Sequence, residues 1–123
     1  MCQGKVAAQV AHGALGAYRA TLSKGAEGQG LLHQWEMMGE AVICLGVADE
    51  AELRAKLEEA ARAGLTTHLI ADAGRTEVAA GSVTVGTVGP DLVTRIDPIT
   101  GRLQLLAQNC ETEPSTQDSS RLF

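Results

Sequence analysis

Aromatic side chains are nearly missing from this chain of 123 residues: Tyr18, Trp35 and Phe123 make up 2% of it. A module that holds single strands by stacking bases on several rings cannot be assembled from three, and Ala, Val and Leu must fill the core. Cysteine is equally sparse. Cys2, Cys44 and Cys110 are odd in number and widely spaced, giving neither a disulfide framework nor a zinc pattern, and a reducing compartment is the default. No stretch approaches the ~18 consecutive apolar residues of a membrane span, and residues 1–24 lack the apolar run of a signal peptide. Positive charge is in deficit, 10 Lys and Arg against 15 Asp and Glu for a net −5, which disfavours a globally basic nucleic-acid binder. The nucleophile elbow, the phosphate-binding loop, Cys-x-x-Cys and His-Glu-x-x-His are all absent. Gly28-Gln29-Gly30 follows no strand and is not a dinucleotide fingerprint.

What is present suits one globular domain. Apolar residues are 45% and charged residues 20% of the chain, close to the averages for folded domains. Charge is unevenly spread. Residues 1–26 carry Lys5, Arg19 and Lys24 with no acid, a local +3 that can hold phosphates despite the negative total. Residues 107–123 hold Glu111, Glu113 and Asp118 among Pro, Ser, Thr and Gln, and read as a disordered acidic tail behind a domain of residues 1–106.

Along the domain, Val6, Ala7, Val10, Ala14, Tyr18 and Leu22 recur at helical spacing, predicting a helix over 4–22 with these residues buried. Lys5, Gln9, His12, Gly16 and Arg19 share the opposite stripe, where Gly13 and Gly16 suggest a close approach to the backbone. Residues 25–30 read as a loop and 31–38 as a second helix. Residues 41–47 form a continuous apolar run, expected to be a strand buried on both faces. Asp49 and Glu52 form a capping box for a helix that stops at Gly64. Strands follow at 65–71 and 82–88, then a short helix opened by Pro90 and Asp91 and ended by Pro98, and a last strand at 102–106. The alternation predicts an α/β fold, a mixed β-sheet with helices on both faces in three α/β/α layers, with 41–47 and 65–71 parallel. Asp72 then lies at a strand's carboxyl end, where such sheets bind ligands.

The polar candidates are Lys5, Gln9 and His12 on the first helix, Asp72, Arg75 and Thr76 in a turn, and Ser82 and Thr84 on a strand. On residue chemistry alone Lys5 reads as an exposed solubilising cation. Asp72 serves equally well as a turn cap or a catalytic acid, and Arg75 could pair with Asp72 or Glu77. His33 and His68 have no case.

The run Gly4-Lys5-Val6-Ala7-Ala8-Gln9-Val10-Ala11-His12-Gly13-Ala14 and the turn Asp72-Ala73-Gly74-Arg75-Thr76-Glu77-Val78 add something more specific. With Trp35-Glu36, Gly81-Ser82-Val83-Thr84-Val85 and Gly89-Pro90, they resemble the signatures of the type-2 peptidyl-tRNA hydrolases over residues 1–106. Members of that family carry a strand before the first helix that this sequence lacks, and Cys2-Gln3 stands where they often have Gly-Lys.

The resemblance implies hydrolysis of the ester between a peptide and the 3′-terminal ribose of tRNA, with water as nucleophile. Carried over residue by residue, it implies Lys5, Asp72, Thr76 and Thr84 as catalytic and Gln9, His12, Arg19, Arg75 and Ser82 as substrate-binding. A cation beside Asp72 weakens it as a base, so positioning of water is expected over strong base catalysis. Phosphates of the acceptor end, common to all tRNAs, are the expected contact. No metal or cofactor is expected. The cytoplasm is the expected location, or the mitochondrion if an upstream targeting segment has been removed. The alternatives are an interaction module, or an inactive truncated form, that pairs through an open sheet edge, including with itself as a homodimer.

Overall fold

Two glycines set how the first half of the chain folds back on itself. In a computed structural model that describes residues 2–71 and 83–107, helix α1 spans Gln3–Leu22 and helix α2 spans Ala26–Met37. Gly25, at φ 77, makes the reversal between them. Gly28 then lies so close to α1 that a Cβ there would overlap the carbonyl of Thr21. The expected loop at 25–30 is therefore helical from Ala26, because its glycines serve a turn and a close crossing. Across the pair, Tyr18 stacks at a tilt on Trp35 with ring centroids 6.5 Å apart, and its hydroxyl donates to Glu36 at 3.2 Å.

Helix α3 spans Glu50–Arg62 and carries the predicted cap. Asp49 Oδ1 accepts the Glu52 amide at 2.9 Å, Glu52 Oε1 accepts the Ala48 amide at 2.7 Å, and Gly64 leaves the helix at φ 87. Strand β1, Thr67–Ala71, pairs antiparallel with strand β2, Val83–Val88, in a register that joins His68 to Thr87 and Ile70 to Val85. Side chains alternate across this sheet. Val85, Thr87 and His68 face α1, at Gly13 and Gly16, whereas Gly86 faces Leu53 and Leu57 of α3. A helix thus covers each face, as the three-layer α/β expectation requires.

Other expectations are corrected. Residues 41–47 are not a ladder strand among the described residues. They make one antiparallel bridge, Leu45 with Leu105, through Gly46 N–H to Gln104 O at 2.9 Å and Leu106 N–H to Cys44 O at 3.1 Å. The parallel pairing with 65–71 is therefore not found, Ile43 is 55% exposed, and 102–106 likewise shrinks to that bridge. Apolarity shows that a segment seeks burial; a strand also needs a neighbour along its edge. Helix α4, Val93–Thr100, begins later than predicted and contains Pro98 in place of ending there. A proline in a two-turn helix forfeits one hydrogen bond, and the last turn is held by Ile99, buried against Ala60 and Leu65 in the core between α3 and α4.

The buried face of α1 also differs from its apolar count. Gln9, Gly13, Ala17 and Thr21 are buried, while Ala7 and Leu22 are exposed. The helix docks through its small and polar residues because the strands beneath it carry Val85, Thr87 and His68 right up to its backbone. Among the described residues no helix is long and apolar enough to cross a membrane.

Candidate active site

At the end of β1 the register slips between Ile70 and Ala71, so that Ala71 pairs with Val83 and Thr84 becomes the extra residue of a β-bulge. A bulge re-aims a side chain that regular alternation would send to the other face. Thr84 is turned toward α1. Its hydroxyl oxygen accepts a hydrogen bond from the side-chain amide of Gln9 and its hydrogen points to Ile70 O across a long 3.4 Å. Gln9 is only 7% exposed, so this contact satisfies a donor that burial would otherwise leave costly. The pair ties the first turns of α1 to the place where β1 delivers the chain into Asp72.

Lys5 lies four residues before Gln9 on the same helix, which puts the two side chains on one flank with Cβ atoms ~5–6 Å apart. Lys5 is half-buried. A cation in the first turn opposes the helix dipole at a cost of ~0.3–1 kcal/mol, and no acid in that turn offsets it. Lys5 thus places a cation one helical turn before the Gln9–Thr84 contact.

The structure thus brings Gln9 and Thr84 together, with Lys5 one helical turn before Gln9 on α1. His12 is exposed one turn further along, and Arg19 is exposed ~15 Å from Gln9 at 1.5 Å per residue. Asp72, Arg75, Thr76 and Ser82 lie outside the described residues. Sequence reasoning passed over His68, whose ring fills the notch left by Gly16; the signal available was the glycine. It also placed Gln9 on the solvent stripe and missed its bond to Thr84, which joins residues 75 positions apart. Burial raises the Cys44 thiol above its ordinary value, in keeping with an inert thiol. Among the described residues no cluster of His, Cys, Asp and Glu could hold a metal.

Comparison with known proteins decides the family. The sequence model described as Peptidyl-tRNA hydrolase PTH2 matches residues 1–106. The chain belongs to that family. A Drosophila melanogaster protein named "Probable peptidyl-tRNA hydrolase 2" is 48% identical over 106 residues, covering 86% of this chain and 55% of its own length. The human "Peptidyl-tRNA hydrolase 2, mitochondrial" is 44% identical over 105 residues, 85% of this chain and 57% of its own. The "Peptidyl-tRNA hydrolase" of Halobacterium salinarum is 43% identical over 105 residues, 85% of this chain and 88% of its own. The chain spans little more than half the length of the two animal relatives. The PTH2 match embraces α1 with Lys5 and Gln9, the Asp72-Ala73-Gly74-Arg75-Thr76 sequence, and Thr84.

Proposed function

We propose that the chain hydrolyses the ester between the carboxyl end of a peptide and the 3′-terminal ribose of tRNA, rescuing tRNA from products that drop out of translation. The observation that carries this reading is the bonded pair of Gln9 and Thr84, one helical turn from Lys5 and next to the Ala71–Val83 pairing, between which the sequence Asp-Ala-Gly-Arg-Thr falls.

Water adds to the ester carbonyl carbon, and the negative charge that forms on the carbonyl oxygen is met by the Lys5 ammonium and the Thr84 hydroxyl. The Gln9 amide occupies a lone pair of Thr84 and fixes its oxygen, and the hydroxyl hydrogen leaves its long bond to Ile70 O to meet the oxyanion as it forms. Asp72, acting through Thr76, positions the attacking water. The bond from the carbonyl carbon to the ribose oxygen then breaks. One proton of the water ends on that oxygen, the other passes to solvent, and the peptide leaves as a carboxylate. Arg75, Ser82, His12 and Arg19 hold the acceptor end, largely by its phosphates.

The domain that performs this is residues 1–106, with 107–123 as an acidic extension. The setting is a reducing translation compartment, the cytoplasm in the first instance; the free thiol of Cys44 suits it. The test is release of peptide from bulk peptidyl-tRNA without added metal. The wild-type chain is expected to turn over, and Lys5→Ala is expected to lose at least tenfold in kcat while melting cooperatively. A wild-type chain that binds peptidyl-tRNA yet leaves the ester intact overturns the proposal.

A further inference from the structure

Strand β1 is hydrogen-bonded along one edge only, to β2, in a sheet of two strands among the described residues. The phase of that ladder follows from one bond. Gly89 N–H donates to Thr66 O at 2.9 Å, in the register that pairs His68 with Thr87 and Ile70 with Val85. Antiparallel ladders alternate, so Thr66, His68 and Ile70 turn their main-chain groups to β2, and Thr67, Leu69 and Ala71 turn theirs outward. Among the described residues no group bonds to this outer row. The usual blocks to a new strand are missing from it, for Thr67–Ala71 holds neither proline nor Lys, Arg, Asp or Glu. Leu69 shares a face with its partner Gly86, the face toward α3, yet is 40% exposed. The row ends at Ala71, beside Ile70, whose carbonyl the Thr84 hydroxyl reaches.

Resting on the hydrolase reading above, we propose that the outer edge of β1 binds the peptide of the substrate as an added strand, parallel to β1. The polarity follows from the site. Gln9 and Thr84 meet at the Ala71 end, so the ester carbonyl lies there and the peptide runs back along the strand, its amino end toward Thr67. An enzyme that frees tRNA from peptides of many sequences can hold only what they share, the main chain, and an open strand edge bonds to main chain alone. At ~3.3 Å per residue the five residues of β1 hold about five of the peptide. In a parallel ladder Leu69 N–H donates to one peptide residue and Leu69 O accepts from the residue two further on. Alternate peptide amides are therefore bonded to the strand, and those between them are not. The exposed Leu69 side chain adds an apolar contact that reads no particular sequence.

Two series of substrates, both run on the wild-type chain, read this. In the first, peptidyl-tRNAs carry peptides of two, five and eight residues. Their kcat/KM should rise about tenfold from two to five and level off by eight, where β1 has ended. In the second, a five-residue peptide carries a single N-methyl group, moved through positions two to five from the ester. Here kcat/KM should fall about fivefold or more at alternate positions and less than about twofold at those between. Leu69→Pro deletes one outward N–H while sparing the bonds to β2, and should flatten the length profile. The N-methyl series decides the matter whether or not that variant folds. Rates that do not rise with length, N-methyl losses that do not alternate, or a length profile that a folded Leu69→Pro leaves unchanged each overturn the proposal. So does a wild-type dimer that Leu69→Pro converts to monomer, since a second copy then holds the edge. If no ester is cleaved at any length, the hydrolase reading fails. The edge then stands only if affinity for analogues with nitrogen in place of the ester oxygen shows the same alternation.

Discussion

Thr84 shows how much one side chain depends on a backbone irregularity. Without the bulge its hydroxyl would face away from α1, and Gln9 would be a buried amide with no acceptor. Thr84→Val keeps the shape and removes the oxygen. It should lower kcat by roughly ten- to a hundredfold and, by stranding the Gln9 amide, cost ~1–3 kcal/mol of stability. Thr84→Ser should restore both, which steady-state kinetics and chemical denaturation will read. Cys44 gives a prediction of a different kind. Its thiol pKa is raised in the folded chain because burial disfavours the thiolate. A raised pKa contributes stability that is whole below the ordinary value of 9.0 and is lost as pH climbs through the folded value. The melting midpoint should therefore fall above about pH 9, and Cys44→Val should lessen the fall. A wild-type midpoint that is flat or rising there, or a decline that Cys44→Val leaves unaltered, contradicts it.

Between residue and fold stand the elements, where two glycines that look alike in the sequence behave in opposite ways. Gly28 has the Thr21 carbonyl where its Cβ would go, and Gly30, two residues later in α2, has nothing within 4 Å. Gly28→Ala should open the α1–α2 hairpin and lower the melting midpoint by several degrees, whereas Gly30→Ala should raise stability by up to ~1 kcal/mol through helix propensity. Thermal melts of the two variants check both. The same contrast explains what could be read in advance. The ends of α3 were legible because Asp49, Glu52 and Gly64 act through local hydrogen bonds and one backbone angle. The face of α1 was not, since Gln9 and Thr21 are buried for reasons that lie on other elements. Residues 41–47 misled because an apolar run records a demand for burial and leaves the hydrogen-bonding neighbour unstated. The presence of Lys5, Gln9 and Thr84 was legible through their motifs; the meeting of Gln9 with Thr84 at a bulge was a property of register.

Taken whole, the molecule separates stability from chemistry. Its tightest apolar cluster, Ala60, Leu65 and Ile99 with Val88 and Ile96, lies between α3 and α4 at the end of β2. Thr84 lies at the other end of that strand, under α1. Charge is partitioned in a similar way, for α1 carries cations and no acids while the chain as a whole is net −5. A polyanionic substrate would thus be drawn to one flank by a protein that otherwise repels it, and association should weaken steeply with salt. The most direct test of the central claim, that this chain cleaves the peptide–ribose ester with Asp72 taking part, is multiple-turnover peptide release by the wild type and by Asp72→Asn. The account predicts turnover by the wild type and a loss of more than tenfold in the variant, with unchanged affinity for tRNA. Equal rates for the two proteins would contradict it.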